Sequence, residues 1–187
     1  MLNFTLDVKK YNRGFTLIEL IVTLAVAAIL VTMGVPSFIS TIASSRVTAA
    51  SNEVVTALNL AKSTAIRSGQ NAILCKRNSA GTDCNDAGSW SDGWLLFSDL
   101  DADGVVGADE IVRVHEAPEA SLNLALAAGA TTYNKIEFRP NGTPNIGSGG
   151  VRFCLQNSYN TQRSRAVLVT QVGRIRTEVR TGSNNCA

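Results

Sequence analysis

The chain has 187 residues, a formal net charge of +2 and one histidine. That length is enough for one anchor helix and one soluble domain, and no internal repeat is visible. His115 stands alone in a predicted strand, and the sequence supplies no Ser-His or Cys-His pair with recognisable context. We therefore expect no enzymatic activity.

The charges are segregated along the chain. From Asp83 to Glu119 there are ten acidic residues and one basic residue, Arg113. From Lys135 to the end there are eight basic residues and two acidic ones. A positive half of this kind favours a polyanionic partner, although solvation of an exposed surface is the simpler explanation.

The N-terminal region joins a short basic leader to a long apolar run. Residues 14–39 form this run, and it holds one carboxylate, Glu19, near its start. The stretch from Leu20 to Ser45 carries no charge and is long enough to span a bilayer of ~30 Å. Because basic flanks stay in the cytoplasm, we expect the leader to be cytoplasmic and the remaining chain to be periplasmic.

Two simpler explanations of this region fit less well. A secretory signal would have a shorter apolar core followed by a small-residue cleavage site. A plain single-pass anchor explains the length but not Glu19, since an acid inside an apolar helix is costly and normally has a partner.

The helix is predicted to continue beyond the membrane to about Arg67, with Gly69 as its C-terminal stop. Apolar residues recur there at three- and four-residue steps, which predicts one stripe packed on a sheet. The stripe consists of Val47, Ala50, Val54, Leu58, Ala61 and Ala65.

After Gly69 the pattern changes to short strands with turn-rich connections. One long helix followed by a run of antiparallel strands predicts an α+β domain with the helix laid across the sheet. The predicted strands are Ala72–Lys76, Trp94–Ser98, Ile111–His115, Lys135–Arg139, Val151–Leu155, Ala166–Gln171 and Arg174–Val179.

The segment Gly-Phe-Thr-Leu-Ile-Glu at 14–19, placed before an uncharged run, resembles the class III signal of type IV prepilins and type II secretion pseudopilins. Within that group the soluble part resembles the GspH/FimT family. The matching features are the helix end at 65–69, the strand at 93–97, the Asp-rich turn after it, the turn at 138–142 and the closing Gly-Arg-Ile-Arg at 173–176.

The resemblance implies a pilin-like fold, in which a long N-terminal helix packs on antiparallel β-sheet. It divides the chain into a leader (1–14), a transmembrane half-helix (15–42), an amphipathic half-helix (43–68) and a periplasmic β-rich domain (69–187). The implied location is the cell inner membrane, single-pass, and then a pilus or pseudopilus.

The resemblance also assigns roles near the N-terminus. A prepilin peptidase would cut after Gly14, and Phe15 would then be methylated. Glu19 would face the N-terminal amine of a neighbouring pilin or pseudopilin in the filament. Such a pair sets subunit register more reliably than it adds stability.

Four cysteines suit an oxidising compartment and allow three pairings. Neighbours in sequence favour Cys75–Cys84 and Cys154–Cys186. The second pair resembles the C-terminal disulfide loop of many pilins. Zinc is the weaker alternative, because no two cysteines are close in sequence and the histidine is distant.

The C-terminal arginines are a candidate phosphate-binding cluster. Alternation along the last strand would place Arg174, Arg176 and Arg180 on one face. The other candidates are Arg163 and Arg165 on the preceding strand, and Arg152 on another. The Gly-Arg-x-Arg element resembles that of FimT-type minor pilins linked to DNA uptake in natural transformation. The alternative is a basic strand that pairs with acidic patches of neighbouring subunits.

The Asp-rich segment satisfies the pattern of an EF-hand calcium loop, with Asp99, Asp101, Asp103 and Glu110 as candidate ligands. Its predicted flanks are strands rather than helices, and a tight hairpin rich in Asp and Gly explains the same residues without metal. Calcium is thus the single candidate cofactor, and we otherwise expect none.

Two functions follow from these observations. The first is a minor pilin of a type IV pilus that helps to start assembly and binds DNA during uptake. The second is a type II secretion pseudopilin that acts in protein secretion without binding DNA. The N-terminus does not separate them, whereas the basic C-terminal strand favours the first.

Overall fold

The computed structural model describes residues 14–118, 122–127, 133–157 and 160–181, with the backbone alone at 33–37, 127, 160–163 and 181. The chain divides into two compact units, one ending at Ile39 and one beginning at Ser40. The predicted leader before Gly14 and the predicted half-cystine Cys186 lie outside the described residues.

A single α-helix, α1 (Leu17–Ser68), runs through 52 residues. Gly69 ends it in the left-handed region with φ 72°, and its N–H donates to the carbonyl of Ala65 at 3.1 Å. A residue without a Cβ adopts this conformation at no steric cost, which confirms Gly69 as the stop.

The predicted apolar stripe of the second unit is confirmed. All six of its residues are buried, and Leu58 has no exposed surface. The three small residues at Ala50, Ala61 and Ala65 also lie in the core cluster that holds the inner faces of both sheets. Small side chains let the helix backbone approach the strands closely, so the helix positions both sheets.

Two antiparallel four-stranded sheets follow the helix. The first has the order β3-β2-β1-β5, and the second has the order β4-β6-β7-β8. The strands are β1 (Asn71–Lys76), β2 (Trp94–Asp99), β3 (Ile111–His115), β4 (Leu122–Ala127), β5 (Lys135–Phe138), β6 (Val151–Asn157), β7 (Asn160–Val169) and β8 (Ile175–Thr181).

The first sheet is covered on both faces over β1 and β2. Leu74 and Leu96 face the main core, whereas Ile73, Leu95 and Phe97 form a second cluster on the other side. Burial on two faces explains why these strands are continuous apolar runs rather than alternating ones.

The second cluster is closed by a disulfide. Cys75 lies in β1 and is bonded to Cys84 with an S–S distance of 2.04 Å. This confirms the first predicted pairing and removes zinc as an explanation for these two cysteines. Cys154 is disulfide-bonded as well.

The structure corrects three strand predictions. Strand β4 was not predicted, although Leu122, Leu124 and Leu126 alternate with smaller residues. Strand β7 begins and ends earlier than the predicted Ala166–Gln171, because Gln171 belongs to a turn. Strand β8 begins at Ile175, so Arg174 precedes it.

Candidate functional site

The predicted cleavage junction is open to its surroundings. Gly14 and Phe15 precede the helix, and a Cβ added at Gly14 would meet nothing within 4 Å. The Phe15 side chain is 86% exposed. An enzyme that cuts after Gly14 would therefore find both residues accessible.

Glu19 has a local partner that the sequence prediction missed. Its carboxylate accepts from the backbone N–H of Thr16 at 3.4 Å, and its own N–H donates to Thr16 Oγ1 at 3.3 Å. This reciprocal pair is a capping box, and Thr-x-x-Glu at a helix start is its sequence signal. Glu19 therefore caps its own helix, in addition to any role toward a neighbouring subunit.

The helix of the first unit exposes its apolar side chains. Among the described side chains from Phe15 to Ile39, thirteen large hydrophobic residues are exposed, including Leu17, Leu24 and Phe38. Contiguous exposed apolar surface of this extent marks an interaction surface. Within the described residues, however, no helix has the combined length and apolarity required to cross a membrane.

The six predicted phosphate-binding arginines do not form one cluster. Directly paired residues share a face, so the register places Arg152, Leu168 and Arg176 together on one side of the second sheet. Ser164 and Arg180 are paired on that same side. We call this side the outer face, because the alternate residues of these strands point into the core.

Arg165 lies on the opposite side of the sheet. It is paired with Leu155 and Val179, and Leu155 is buried in the core cluster. The side chain of Arg163 lies outside the described ones, although its backbone pairs with Thr181. Arg165 therefore does not share a face with Arg176 and Arg180, because side chains of a strand alternate between faces.

The carboxylate of Glu178 forms ion pairs with two arginines of the outer face. Arg176 Nη2 lies 3.0 Å from Glu178 Oε1, and Arg180 Nη2 lies 3.7 Å from Glu178 Oε2. Alternation brings all three to the same face. These groups are partly exposed, and such ion pairs contribute about 0–1 kcal/mol each.

Arg174 is presented by a tight turn rather than by the strand. Thr170 N donates to Arg174 O at 3.0 Å, and Gly173 N donates to Thr170 O at 2.8 Å. Gly173 adopts φ 71°, as predicted for a turn glycine. Arg174 is exposed at this turn and immediately precedes β8.

A contact between distant segments fixes this turn. Lys62 Nζ donates to Gly173 O at 2.9 Å. A Cβ at Gly173 would lie 2.2 Å from the carbonyl oxygen of Gly142, and a Cβ at Gly142 would lie 3.0 Å from Ile66. The two turns that carried the family resemblance thus meet on the helix. The role of Lys62 was not predicted from the sequence. The available sign was a basic residue next to Ala61 of the apolar stripe.

The Asp-rich loop brings together three of the four predicted calcium ligands. One carboxylate oxygen from each of Asp99, Asp101 and Asp103 lies within 4.8 Å of the others. Glu110 is not part of that group. Its carboxylate accepts from Leu100 N at 2.6 Å and from Gly107 N at 2.8 Å, and the residue is 7% exposed.

The aspartates also serve the loop itself. Asp99 Oδ1 accepts from Gly104 N at 3.2 Å, and Asp103 Oδ1 accepts from Val105 N at 2.7 Å. These bonds stabilise a hairpin between β2 and β3 without a metal, and the flanks are strands, as predicted. They leave calcium binding as an untested prediction.

Comparisons with known proteins agree with this architecture. A model of the family described as type II transport protein GspH matches residues 50–173. A model of the prokaryotic N-terminal methylation motif matches residues 9–35, which include Gly14, Phe15 and Glu19. No curated protein matches the chain significantly.

Solved structures of a minor pilin and of a minor pseudopilin share the fold. A crystal structure of the type IV minor pilin FimU of Pseudomonas aeruginosa is similar with a TM-score of 0.54 and 22% identity, over 71% of this chain and 87% of that chain. The minor pseudopilin EpsH from the type 2 secretion system of Vibrio cholerae is similar with a TM-score of 0.51 and 11% identity, over 71% and 96%.

These matches confirm the predicted pilin-like α+β fold. The family model covers more than half of the chain. Together with the methylation motif, this match implies that the chain is a component of a membrane-associated pilus or pseudopilus. The chain therefore belongs to the GspH family of type IV pilin-like proteins, as a minor pilin or pseudopilin.

Proposed function

We propose that this chain is a minor pilin of a type IV pilus that helps to start pilus assembly and binds DNA during natural transformation. One observation carries the DNA-binding part. The outer face of β6–β8 and its turn expose Arg174 and Arg176 beside Arg152 and Arg180. Glu178 is the single acidic residue among these three strands.

The chemistry of this face suits the DNA backbone. A guanidinium presents its donors in a planar fork that matches phosphate oxygens. Phe153, an aromatic residue of β6, is buried in the core and offers no platform for stacking a base. Binding would therefore be independent of sequence and sensitive to salt, since it depends on phosphate contacts that release counterions.

The N-terminal unit supports the assembly part of the proposal. Prepilin peptidase would cut after Gly14, and Phe15 would be methylated. The exposed apolar helix would then lie in the inner membrane as a single-pass anchor, with the second unit in the periplasm. In the filament, Glu19 would attract the amine of a neighbouring subunit, and a low-dielectric setting strengthens that attraction.

In this proposal the chain acts in filament assembly and in DNA binding, and it is not an enzyme. The one histidine, His115, stacks on Trp94 with ring centroids 4.0 Å apart, and its Nε2 lies 3.5 Å from Glu53. These contacts are explained by packing between the helix and β3. We propose no cofactor for the function.

A mobility-shift assay at several salt concentrations tests the DNA-binding part. The expected result is weak binding that falls as salt rises, and clear loss on combining Arg174→Gln with Arg176→Gln while folding is unchanged. The matched control is Arg165→Gln, which removes a charge from the other face of the sheet. Unaltered binding in the double variant would refute the assignment to these arginines.

A second candidate is a pseudopilin of a type II secretion system. The description of the matching family model and the structural similarity to EpsH favour it. The basic outer face would then bind acidic surfaces of neighbouring subunits. Deletion of the gene separates the two candidates: lost piliation and DNA uptake supports the first, and lost protein secretion supports the second.

A further inference from the structure

A cavity of about 350 Å³ opens on the outer face of the second sheet. The glycine-rich turn that precedes β6 forms one wall, and the turn between β7 and β8 forms another. Arg152, Leu168 and Arg176 lie side by side along its base, on three adjacent strands. Neighbouring strands are ~4.8 Å apart, so the two arginines flank Leu168 with their Cα atoms ~10 Å from each other.

Arg152 carries a donor without an acceptor. Its Nε is buried and has no hydrogen-bond partner within the described residues. Leaving a buried donor unsatisfied costs about 1–3 kcal/mol, and the cost is higher when the group is charged. Native structures contain few such groups, and each calls for an explanation such as an absent ligand.

Arg176 is available on the other side of the cavity. Arg176 is exposed, and its ion-pair partner Glu178 also pairs with Arg180. A partly exposed ion pair that contributes about 0–1 kcal/mol does not prevent Arg176 from turning to a ligand. The cavity thus has one guanidinium with an unpaired Nε and one that can be recruited.

We propose that Arg152 and Arg176 hold one phosphodiester of the DNA backbone above Leu168. This inference rests on the proposed DNA binding and identifies where a phosphate is seated. A tetrahedral phosphate directs its oxygens toward both flanks at once, so that one oxygen accepts from the partly exposed guanidinium of Arg152 and another from the Arg176 fork. A side-chain carboxylate has its two oxygens in one plane and fits a single fork better.

This phosphate site between Arg152 and Arg176 explains which of the predicted arginines act together. Arg174, at the turn, and Arg180, farther along β8, lie beyond the cavity and would contact flanking phosphates. Arg165 is excluded because it lies on the other face of the sheet. Arg152, which lies outside the Gly-Arg-x-Arg element, becomes the central contact.

The test uses the full chain in detergent micelles and a short fluorescent DNA duplex. Binding is followed by anisotropy over a series of salt concentrations. Arg152→Gln is expected to lower the magnitude of the slope of log K against log [salt] by about 1, the value for one lost phosphate contact. Arg165→Gln is the matched control and is expected to keep the wild-type slope.

A second variant guards against a folding defect in Arg152→Gln. Glu178 is partly exposed. Glu178→Gln keeps the shape of the side chain and frees Arg176, so it is expected to bind the duplex several-fold more tightly. The proposal is overturned if Arg152→Gln keeps the wild-type slope, or if Glu178→Gln binds no more tightly than wild type.

The outcomes also separate this inference from the proposed function. DNA binding stands if the wild-type chain binds the duplex and the chain with both Arg174→Gln and Arg176→Gln does not. In that case, an unchanged salt slope in Arg152→Gln refutes only the phosphate site between Arg152 and Arg176. If the wild-type chain ignores the duplex, both fail. Stabilisation by an acidic peptide in that case would assign the cavity to a carboxylate of a neighbouring subunit.

Discussion

Replacement of Gly173 by alanine tests how the β7–β8 turn is held in the domain. Gly173 adopts φ 71°, and a Cβ at this position would lie 2.2 Å from the carbonyl oxygen of Gly142. That atom belongs to the backbone of another turn, so it cannot rotate away as a flexible side chain would. One of the two turns must therefore move by about 1 Å to restore an ordinary contact.

The expected cost has two parts. Placing alanine in the left-handed region costs about 1–2 kcal/mol. Separating the turns also weakens the bond from Lys62 Nζ to Gly173 O, and a hydrogen bond of a charged group contributes about 1.5–3 kcal/mol. Together these give a loss of about 3–5 kcal/mol in the free energy of unfolding.

Alanine variants at two other glycines distinguish the backbone strain from the weakened contact between the turns. Gly69→Ala meets nothing within 4 Å but has φ 72°, so it is expected to show the backbone strain alone. Gly149→Ala has neither feature and is expected to be close to neutral. Urea unfolding of each variant, followed by tryptophan fluorescence, measures the differences. A Gly173→Ala protein as stable as Gly149→Ala would refute the close packing of the two turns.

Three further predictions concern single contacts, and a fourth concerns calcium. Glu19→Gln keeps the acceptor of the capping box but removes the charge, so it should preserve the helix cap and still abolish incorporation into a filament. Glu19→Ala should lose both the cap and the incorporation. Normal incorporation of the Gln variant would contradict the charge pairing. Lys62→Met should lower the free energy of unfolding by about 2 kcal/mol, because it removes the donor to Gly173; an unchanged urea midpoint would contradict this. Glu110→Ala should cost about 3 kcal/mol, because two amides lose a buried acceptor. Calcium added to wild type should give no heat in isothermal titration, and saturable heat that disappears in Asp101→Asn would instead support the calcium loop.

The sequence predicted most of the elements because their signals are local. The stripe from Val47 to Ala65 follows helical spacing, and the strands at β1, β2 and β3 are bounded by turn residues. The prediction missed β4, since Leu122, Leu124 and Leu126 alternate with residues of low strand propensity. This strand is held partly from outside, as Ser91 Oγ accepts from Leu124 N at 2.9 Å.

The arrangement of the candidate site was harder to predict than its composition. Arginine counts and the Gly-Arg-x-Arg element are visible in the sequence, but the face of each arginine depends on strand register. A turn that ends at Arg174 moves that residue off the strand, and alternation places Arg165 on the other side. The close approach of Gly173 to Gly142 joins segments far apart in the chain, and no local pattern reveals it.

The most direct test of the account is the N-terminus of the protein recovered from its native cells. We propose that the chain becomes a filament subunit after cleavage between Gly14 and Phe15. Mass spectrometry of the purified protein should therefore find a chain that begins at Phe15 and carries one added methyl group on its amine. A protein that still begins at Met1 in cells that assemble the filament would contradict it.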